Sequence, residues 1–477
     1  MKESNRSKQS YTSQRNAAHA AKRTVRGNGR LQSSTHQSMK LANSGTKLPT
    51  IEERMRKNRE ERLHHEKDNI NTHRGASTQK KKQAIQRKRP PHKREKKENR
   101  LLKAMFPSNR EILSAPDSLL LEVTLIILAI GLVMVFSASS YRSLLENGSA
   151  FSYLIRQGVY AFLGVIALLF VTRIEPKTIS AAAFPLLIVF SVLIAYTVFN
   201  GEESLGATRW ITIAGVRFTP AEFAKPLFVL CLSDMIKQNP GDIIKGKNNI
   251  GMTFVLLATL VLIVVEDLGS GLVIFGGCFA MFIIAGISKN WIFGTFGTGL
   301  GFAVLAVIAE PYRLQRIFGF LNQGSADVAN GSAYQLTQSL YAFGSGGLLG
   351  VGIGNSGQKL LYLPGMHTDF IYSVIGEELG LIGALLVLVL FMTFAWRGFW
   401  LSWRIEDNYK SYVAFGITAM VTVQALINMG VAVGVLPITG ITLPLISYGG
   451  TSVMITLISV GLLLNMSRFA DKKNKRL

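Results

Sequence analysis

The stretch LPGMHTDFIYSVIGEELG, residues 363–380, sets His367, Asp369, Glu377 and Glu378 at the edge of a long apolar run. From Leu379 the chain continues LGLIGALLVLVLFMTFAW, residues 379–396, with no charged side chain. His367 is the last of seven histidines, and the others all fall in the first hundred residues. Titratable groups are costly where solvent gives way to hydrocarbon, so their presence there calls for a partner or a chemical task.

Working outward, the same apolar character recurs. Runs lie near 118–140, 152–171, 178–199, 221–237, 251–265, 268–286, 291–309, 370–396, 411–435 and 445–466. Most are close to the ~20 residues that cross a bilayer as a helix. The turn Glu266-Asp267-Leu268-Gly269 joins the fifth run directly to the sixth, which predicts a tight membrane hairpin. The expected fold is an all-α polytopic membrane protein with ten transmembrane helices over residues 111–468. A long, re-entrant extracellular loop, 310–368, is expected within it. A soluble globular domain is excluded: 48% of the 477 residues are hydrophobic and they come in blocks.

The charge is blocked too. Residues 1–100 hold 28 Lys and Arg against 9 Asp and Glu, and the other 377 residues hold 24 against 20. The first hundred carry one aromatic residue, Tyr11, too little apolar surface to offset chain entropy. Residues 1–110 therefore read as a disordered polybasic tail. KKKQAIQRKRPPHKREKKENR, 80–100, is suited to anionic lipid at about 1 kcal/mol per basic residue near the surface. The tail lacks interleaved aromatics and any fold motif of nucleic-acid binding, so no nucleic-acid partner is expected. The opening MKESNRSKQS is polar, and no apolar segment of a signal peptide follows.

Lys and Arg concentrate in the tail, the loops around 173–177, 237–249 and 397–410, and the end 469–477. The positive-inside rule makes these cytoplasmic, with both termini on that side, and puts Asp369 at the outer face. Cys231 and Cys278 both lie in apolar runs, which gives neither a disulfide framework nor a metal-ligand spacing.

Four places hold polar groups that a membrane helix does not need. In FTPAEFAKP, 218–226, Glu222 and Lys225 are three apart and share a helical face, either steadying a bundle or lining a polar cavity. In GATRWITIAG, 206–215, Arg209 beside Trp210 is either an interface anchor or a phosphate clamp. EDLGSG, 266–271, is the polar turn that a hairpin requires. In HTDF, Thr368 or Asp369 is a sound N-cap, or Asp369 is a partly desolvated carboxylate suited to general-base work. Glu377 lies roughly 80° around the helix from Asp369 and Glu378 nearly opposite, so at most one shares its site. Upstream, 331–365 holds nine glycines, with Tyr334, Gln335, Gln338 and Ser339 at near-helical spacing. With Lys359 it reads as a backbone cradle for phosphates or sugars.

Taken together, GATRWI, FTPAEFAK, EDLGSG, YQLTQSLYAFGSGG, PGMHTDFIYSVIGEELG and PITGITLPLISYGGTS resemble the motifs of the SEDS family (shape, elongation, division and sporulation), over roughly residues 118–468. The resemblance implies a ten-span peptidoglycan glycosyltransferase. Such an enzyme polymerises lipid II at the outer face of the cell membrane beside a class B penicillin-binding protein. It implies that Asp369 is the essential residue, and it points to Arg209, Glu222 and Lys225 as site residues. YQLTQSL and PLISYGG look division-type or sporulation-type rather than elongation-type, which implies action at the septum with other divisome proteins.

On this reading Asp369 is the base. Arg209, Lys225 and Lys359 are candidates for the pyrophosphate, and Glu222, Gln335, Gln338, Ser339, His367, Thr368 and Glu377 are further substrate-site candidates. A divalent cation, magnesium or manganese, could share the pyrophosphate charge, although no ligand cluster demands one. The alternatives are a lipid II flippase, an elongation-type polymerase, or a scaffold without chemistry.

Overall fold

The computed structural model describes residues 115–204, 207–213, 216–238, 249–321 and 331–470. The expectations for the basic tail and for 471–477 lie outside them. The described residues are mostly helical. Helix α1 spans Ser118–Asn147, α2 Ser152–Val171, α3 Pro176–Asn200, α4 Pro220–Gln238, α5 Asn249–Glu266 and α6 Leu268–Ile284. They are followed by α7 Lys289–Ile308, α8 Pro311–Leu321, α9 Ser332–Gly346, α10 Ile371–Glu378, α11 Gly380–Arg404, α12 Asn408–Ala432 and α13 Gly450–Ser467. Between α3 and α4 lies a small antiparallel sheet, β1 Glu202–Ser204, β2 Ala207–Ile213 and β3 Val216–Phe218, with β2 in the middle.

Among the described residues, eight helices are long and apolar enough to cross a membrane: α1, α2, α3, α5, α7, α11, α12 and α13. This makes the chain a multi-pass membrane protein. The two other expected spans are also helical. Helix α4 carries Glu222, Lys225, Asp234 and Lys237 among its 19 residues, and α6 is apolar but has 17.

Helix boundaries follow local chemistry. Asp117 caps α1 by accepting from the Leu120 N–H at 2.9 Å, and Gly148, in the left-handed region at φ 68°, ends it. Asp117 is also bound by Arg397 of α11, whose Nη2 lies 2.6 Å from Oδ2, so one carboxylate pins two helices together. The hairpin between α5 and α6 turns at Asp267, which accepts from the Gly269 N–H (3.0 Å) and the Ser270 hydroxyl (2.7 Å).

Small residues bring helices close where lipid offers no driving force for association. Helix α2 packs along α13. A Cβ on Gly164 would stand 2.6 Å from Leu457 Cδ1, and one on Gly461 would stand 2.8 Å from the Leu168 carbonyl oxygen. Helices α4, α12 and α13 form the interior and bury most of their residues, whereas α7 buries none.

Two departures from the expected pattern shape one end of the bundle. The run 370–396 is two helices, not one. It breaks at Leu379, and Gly380 takes φ 68°. The break frees backbone groups, and the Gly-rich stretch after α9 satisfies them. Val351 and Gly352 donate to the carbonyls of Glu377 and Glu378, each at 3.0 Å. The carbonyls of Gly347 and Leu348 accept from Leu381 (2.9 Å) and Ile382 (3.3 Å). Non-helical backbone in a membrane protein is tolerated where its polar groups are paired, as these are by the neighbouring segment. The second departure is 433–449, which is non-helical and buried at Ile438, Ile441 and 443–447, with Leu445 at φ 64°. The expected long loop 310–368 itself contains α8 and α9.

Candidate active site

Asp369 stands half-buried just ahead of α10. Helix α10 starts one residue later than an Asp369 cap would place it and two later than a Thr368 cap would. Phe370 holds the N-cap position and makes no side-chain capping bond. The reason is the preceding turn, in which the N–H groups of Thr368 and Phe370 both reach the Gly365 carbonyl, at 3.0 and 3.1 Å.

Three successive carbonyls fix this strap. That of His367 accepts from the Tyr448 N–H at 2.8 Å. That of Thr368 accepts from the Ser447 hydroxyl at 2.5 Å, and that of Asp369 from Asn428 Nδ2 at 2.8 Å. The donors come from α12 and from 433–449, so the strap is strung across the irregular loop.

The His367 ring is 6% exposed and lies against Tyr153 and Tyr448, with centroids 5.2 and 5.7 Å away. Burial, reinforced by the Arg142 charge and opposed by Glu146, lowers the imidazole to about 4. It is therefore neutral at physiological pH. The Thr368 hydroxyl is turned back onto the Gly365 carbonyl at 3.1 Å.

The two glutamates face different neighbours, as the helical angle predicts. The Glu377 carboxylate is buried and accepts from the Ser356 hydroxyl, the Gly357 N–H (3.0 Å) and the Ser345 hydroxyl (3.5 Å). It ties the Gly-rich stretch to α10. Glu378 is fully buried against Ser137 of α1, whose hydroxyl lies 2.6 and 2.7 Å from its two oxygens.

Glu222 and Lys225 form the pair that their spacing predicts, at 2.8 Å. Lys225 also donates to Gln424 Oε1 at 3.1 Å, and Gln424 Nε2 donates to the Thr442 carbonyl at 2.9 Å. The pair lines a small cavity whose polar wall includes Gln424, Thr456 and Ser459. Its link to Asp369 runs through 433–449.

Ser339 of α9 is fully buried, 2.5 Å from the Ser373 hydroxyl and 2.6 Å from the Ala432 carbonyl, so it joins α9 to α10 and α12. Gln335 and Gln338 lie half-buried on the same helix. The Lys359 ammonium donates to the Gly354 carbonyl within its own loop. Arg209 stands in β2, and its side chain lies outside what the structure describes. Among the described residues no three His, Cys, Asp or Glu side chains converge to hold a metal ion.

Sequence reasoning missed Asn428, Gln424, Ser447, Tyr448 and Tyr153. A signal existed for two of them. Gln424 and Asn428 are four apart on an otherwise apolar helix and 4% and 1% exposed. Polar side chains in membrane helices are expensive unless they bond across the bundle.

Fold and site together define a multi-pass membrane protein whose buried polar groups converge on one irregular loop beneath a tethered aspartate. Comparison with known proteins agrees. Residues 117–472 match the family model described as "Cell cycle protein", that of FtsW, RodA and SpoVE. Stage V sporulation protein E of Bacillus subtilis is 38% identical over 363 residues, 75% of this chain and 98% of that protein. A probable peptidoglycan glycosyltransferase FtsW of Geobacter metallireducens is 36% identical over 366 residues, 76% of this chain and 97% of that one.

Two solved structures share the fold. One belongs to a peptidoglycan synthase complex that coordinates polymerization and crosslinking, with a TM-score of 0.61 at 26% identity. The other is the rod shape determining protein RodA of Thermus thermophilus, with a TM-score of 0.56 at 26% identity. Each covers 75% of this chain and 99% of its own. The chain belongs to the FtsW, RodA and SpoVE family, the SEDS family.

Proposed function

We propose that this chain is a division-type peptidoglycan glycosyltransferase. It polymerises lipid II at the outer face of the cell membrane, crosses the membrane ten times with both termini cytoplasmic, and works at the septum. Its partners are a class B penicillin-binding protein and other divisome proteins, with anionic lipid at the basic tail. Support comes from relatives bearing the glycosyltransferase name and from a fold neighbour in a synthase complex.

The observation that carries the mechanism is the strap of three bonded carbonyls, which holds Asp369 half-exposed while its backbone cannot drift. Asp369 takes the proton from the 4-hydroxyl of the acceptor GlcNAc. The freed oxygen attacks the activated sugar carbon of the donor, a new glycosidic bond forms, and the bond to phosphate breaks. Undecaprenyl pyrophosphate leaves with the electron pair. Holding base and sugars in line removes part of the entropic barrier, and a positioned base contributes about 10²–10⁴-fold.

Arg209 and Lys225 are the candidates to neutralise the pyrophosphate. For Lys359 that role requires the ammonium to leave the Gly354 carbonyl. Gln335, Gln338, Thr368 and His367 are the remaining candidates for holding sugars, directly or by shaping the strap. Glu222 and Glu377 would act through the Lys225 ammonium and the Gly-rich stretch that they hold. Magnesium or manganese, where one takes part, finds no protein ligand cluster among the described residues. No step is assigned to it.

The test is a polymerisation assay with lipid II and the cognate class B transpeptidase. Wild type is expected to make glycan strands and Asp369→Asn none, with folding and partner binding intact. Strands from Asp369→Asn at the wild-type rate would overturn the assignment of the base. Transfer of labelled lipid II across vesicles, without polymerisation by either protein, would favour the flippase.

A further inference from the structure

We infer that Asn428 is a positioning residue for Asp369, an inference that rests on the proposed role of that aspartate. Asn428 is 1% exposed, near the C-terminal end of the inner helix α12. Its single amide nitrogen donates to two carbonyls, that of Asp369 and that of Ile441, both at 2.8 Å. The Ile441 bond anchors the amide to a buried residue of the loop 433–449, and the Asp369 bond anchors the strap to the amide. Both acceptors are carbonyl oxygens, so the amide is oriented with its nitrogen toward them.

Of the three strap bonds, only this one is made to the aspartate's own carbonyl, and only this one comes from a helix. The Ser447 and Tyr448 donors belong to the loop itself. Asn428 therefore sets where the Asp369 side chain starts. It does so from the rigid side of the site without touching a reacting atom. A displacement of about 1 Å at such a place costs about 10²-fold in rate.

A matched control exists in the same molecule. Asn465 of α13 is also 1% exposed, and its Nδ2 also donates to two carbonyls, of Val171 at 2.7 Å and Ile174 at 2.6 Å. It lies at the far end of its helix from the strap. Asn428→Ala and Asn465→Ala remove the same chemistry, so a structural effect should fall on both alike.

The experiment uses the full chain with its cognate transpeptidase. The polymerisation rate is followed against lipid II concentration and pH, and the thermal midpoint is measured alongside. Asn428→Ala is expected to lower kcat by about 10²-fold with KM within about twofold, and to move the acid limb of the kcat profile. Asn465→Ala is expected to lower the midpoint comparably while leaving kcat and the pH profile in place.

If Asn428→Ala does not fold, Asn428→Ser, which keeps one short donor, is read instead, with the same kcat loss in smaller degree. Equal kcat for the two alanine variants, or an unmoved pH profile, overturns the inference. Asp369→Asn is run beside them. Its inactivity with a normal Asn428→Ala rejects positioning alone, whereas its activity rejects the base itself.

Discussion

Gly380 and Gly350 touch backbone to backbone. A Cβ on Gly380 would stand 2.4 Å from the Gly350 nitrogen, and one on Gly350 would stand 2.2 Å from the Glu378 carbonyl oxygen. Both residues also have φ in the left-handed region, at 68° and 82°. The broken helix and the Gly-rich stretch are therefore one construction. The stretch supplies the hydrogen bonds that the break removes, and only glycine lets it come close enough to do so.

Gly380→Ala is accordingly expected to be severe. The left-handed conformation alone costs roughly 1–2 kcal/mol for a residue with a Cβ, and the clash is with backbone that cannot rotate away. Purified Gly380→Ala should show a thermal midpoint in detergent lowered by many degrees, or no monodisperse protein. A midpoint equal to wild type would mean that the two backbones can separate at no cost.

Glu377 holds the same stretch by its side chain. Glu377→Ala removes the acceptor for Ser356, Gly357 and Ser345. Of these donors Ser356 is the buried one, and leaving it unbonded costs about 1–3 kcal/mol. Amide hydrogen exchange over residues 351–360 should quicken by at least tenfold, while exchange in α12 stays unchanged. Unchanged exchange over 351–360 would show that backbone pairing alone holds the stretch.

The Glu222 and Lys225 side chains are only 13% and 7% exposed, so breaking the pair leaves a charge in a poorly solvated place. Lys225→Met is expected to cost about 3–5 kcal/mol, and adding Glu222→Gln should recover part of that loss. The double-mutant cycle is read in thermal unfolding. Additive losses would mean that the two side chains do not interact in the folded protein.

His367 gives a pH dependence of known sign. The unfolded imidazole protonates near 6.5 and the folded one near 4, because burial and Arg142 disfavour its charge. Between those values the unfolded state binds the extra proton. Stability is full above pH 6.5 and falls as pH drops toward 4, by on the order of 3 kcal/mol. His367→Phe, which keeps a ring between Tyr153 and Tyr448, should flatten that part of the thermal stability curve relative to wild type. Parallel curves for the two proteins would falsify it.

The amino-acid sequence determined the helical membrane-spanning architecture, and the reason is local. A run of apolar residues carries its transfer free energy within itself, and hydrocarbon leaves the backbone no partner except its own helix. The Glu222–Lys225 pair was legible for the same reason, since residues three apart on a helix must be neighbours. So was the separation of Glu377 from Glu378, which follows from their angle.

Only the tertiary structure decided the rest. Asn428 meets Asp369 across 59 residues, Ser447 meets Thr368 across 79, and Glu378 meets Ser137 across 241. Nothing local to 363–380 specifies those bonds. The break at Leu379 likewise reads as uninterrupted membrane helix until the glycine-rich stretch lies against it. A helix can give up its own hydrogen bonds only where another segment of the folded chain supplies replacements.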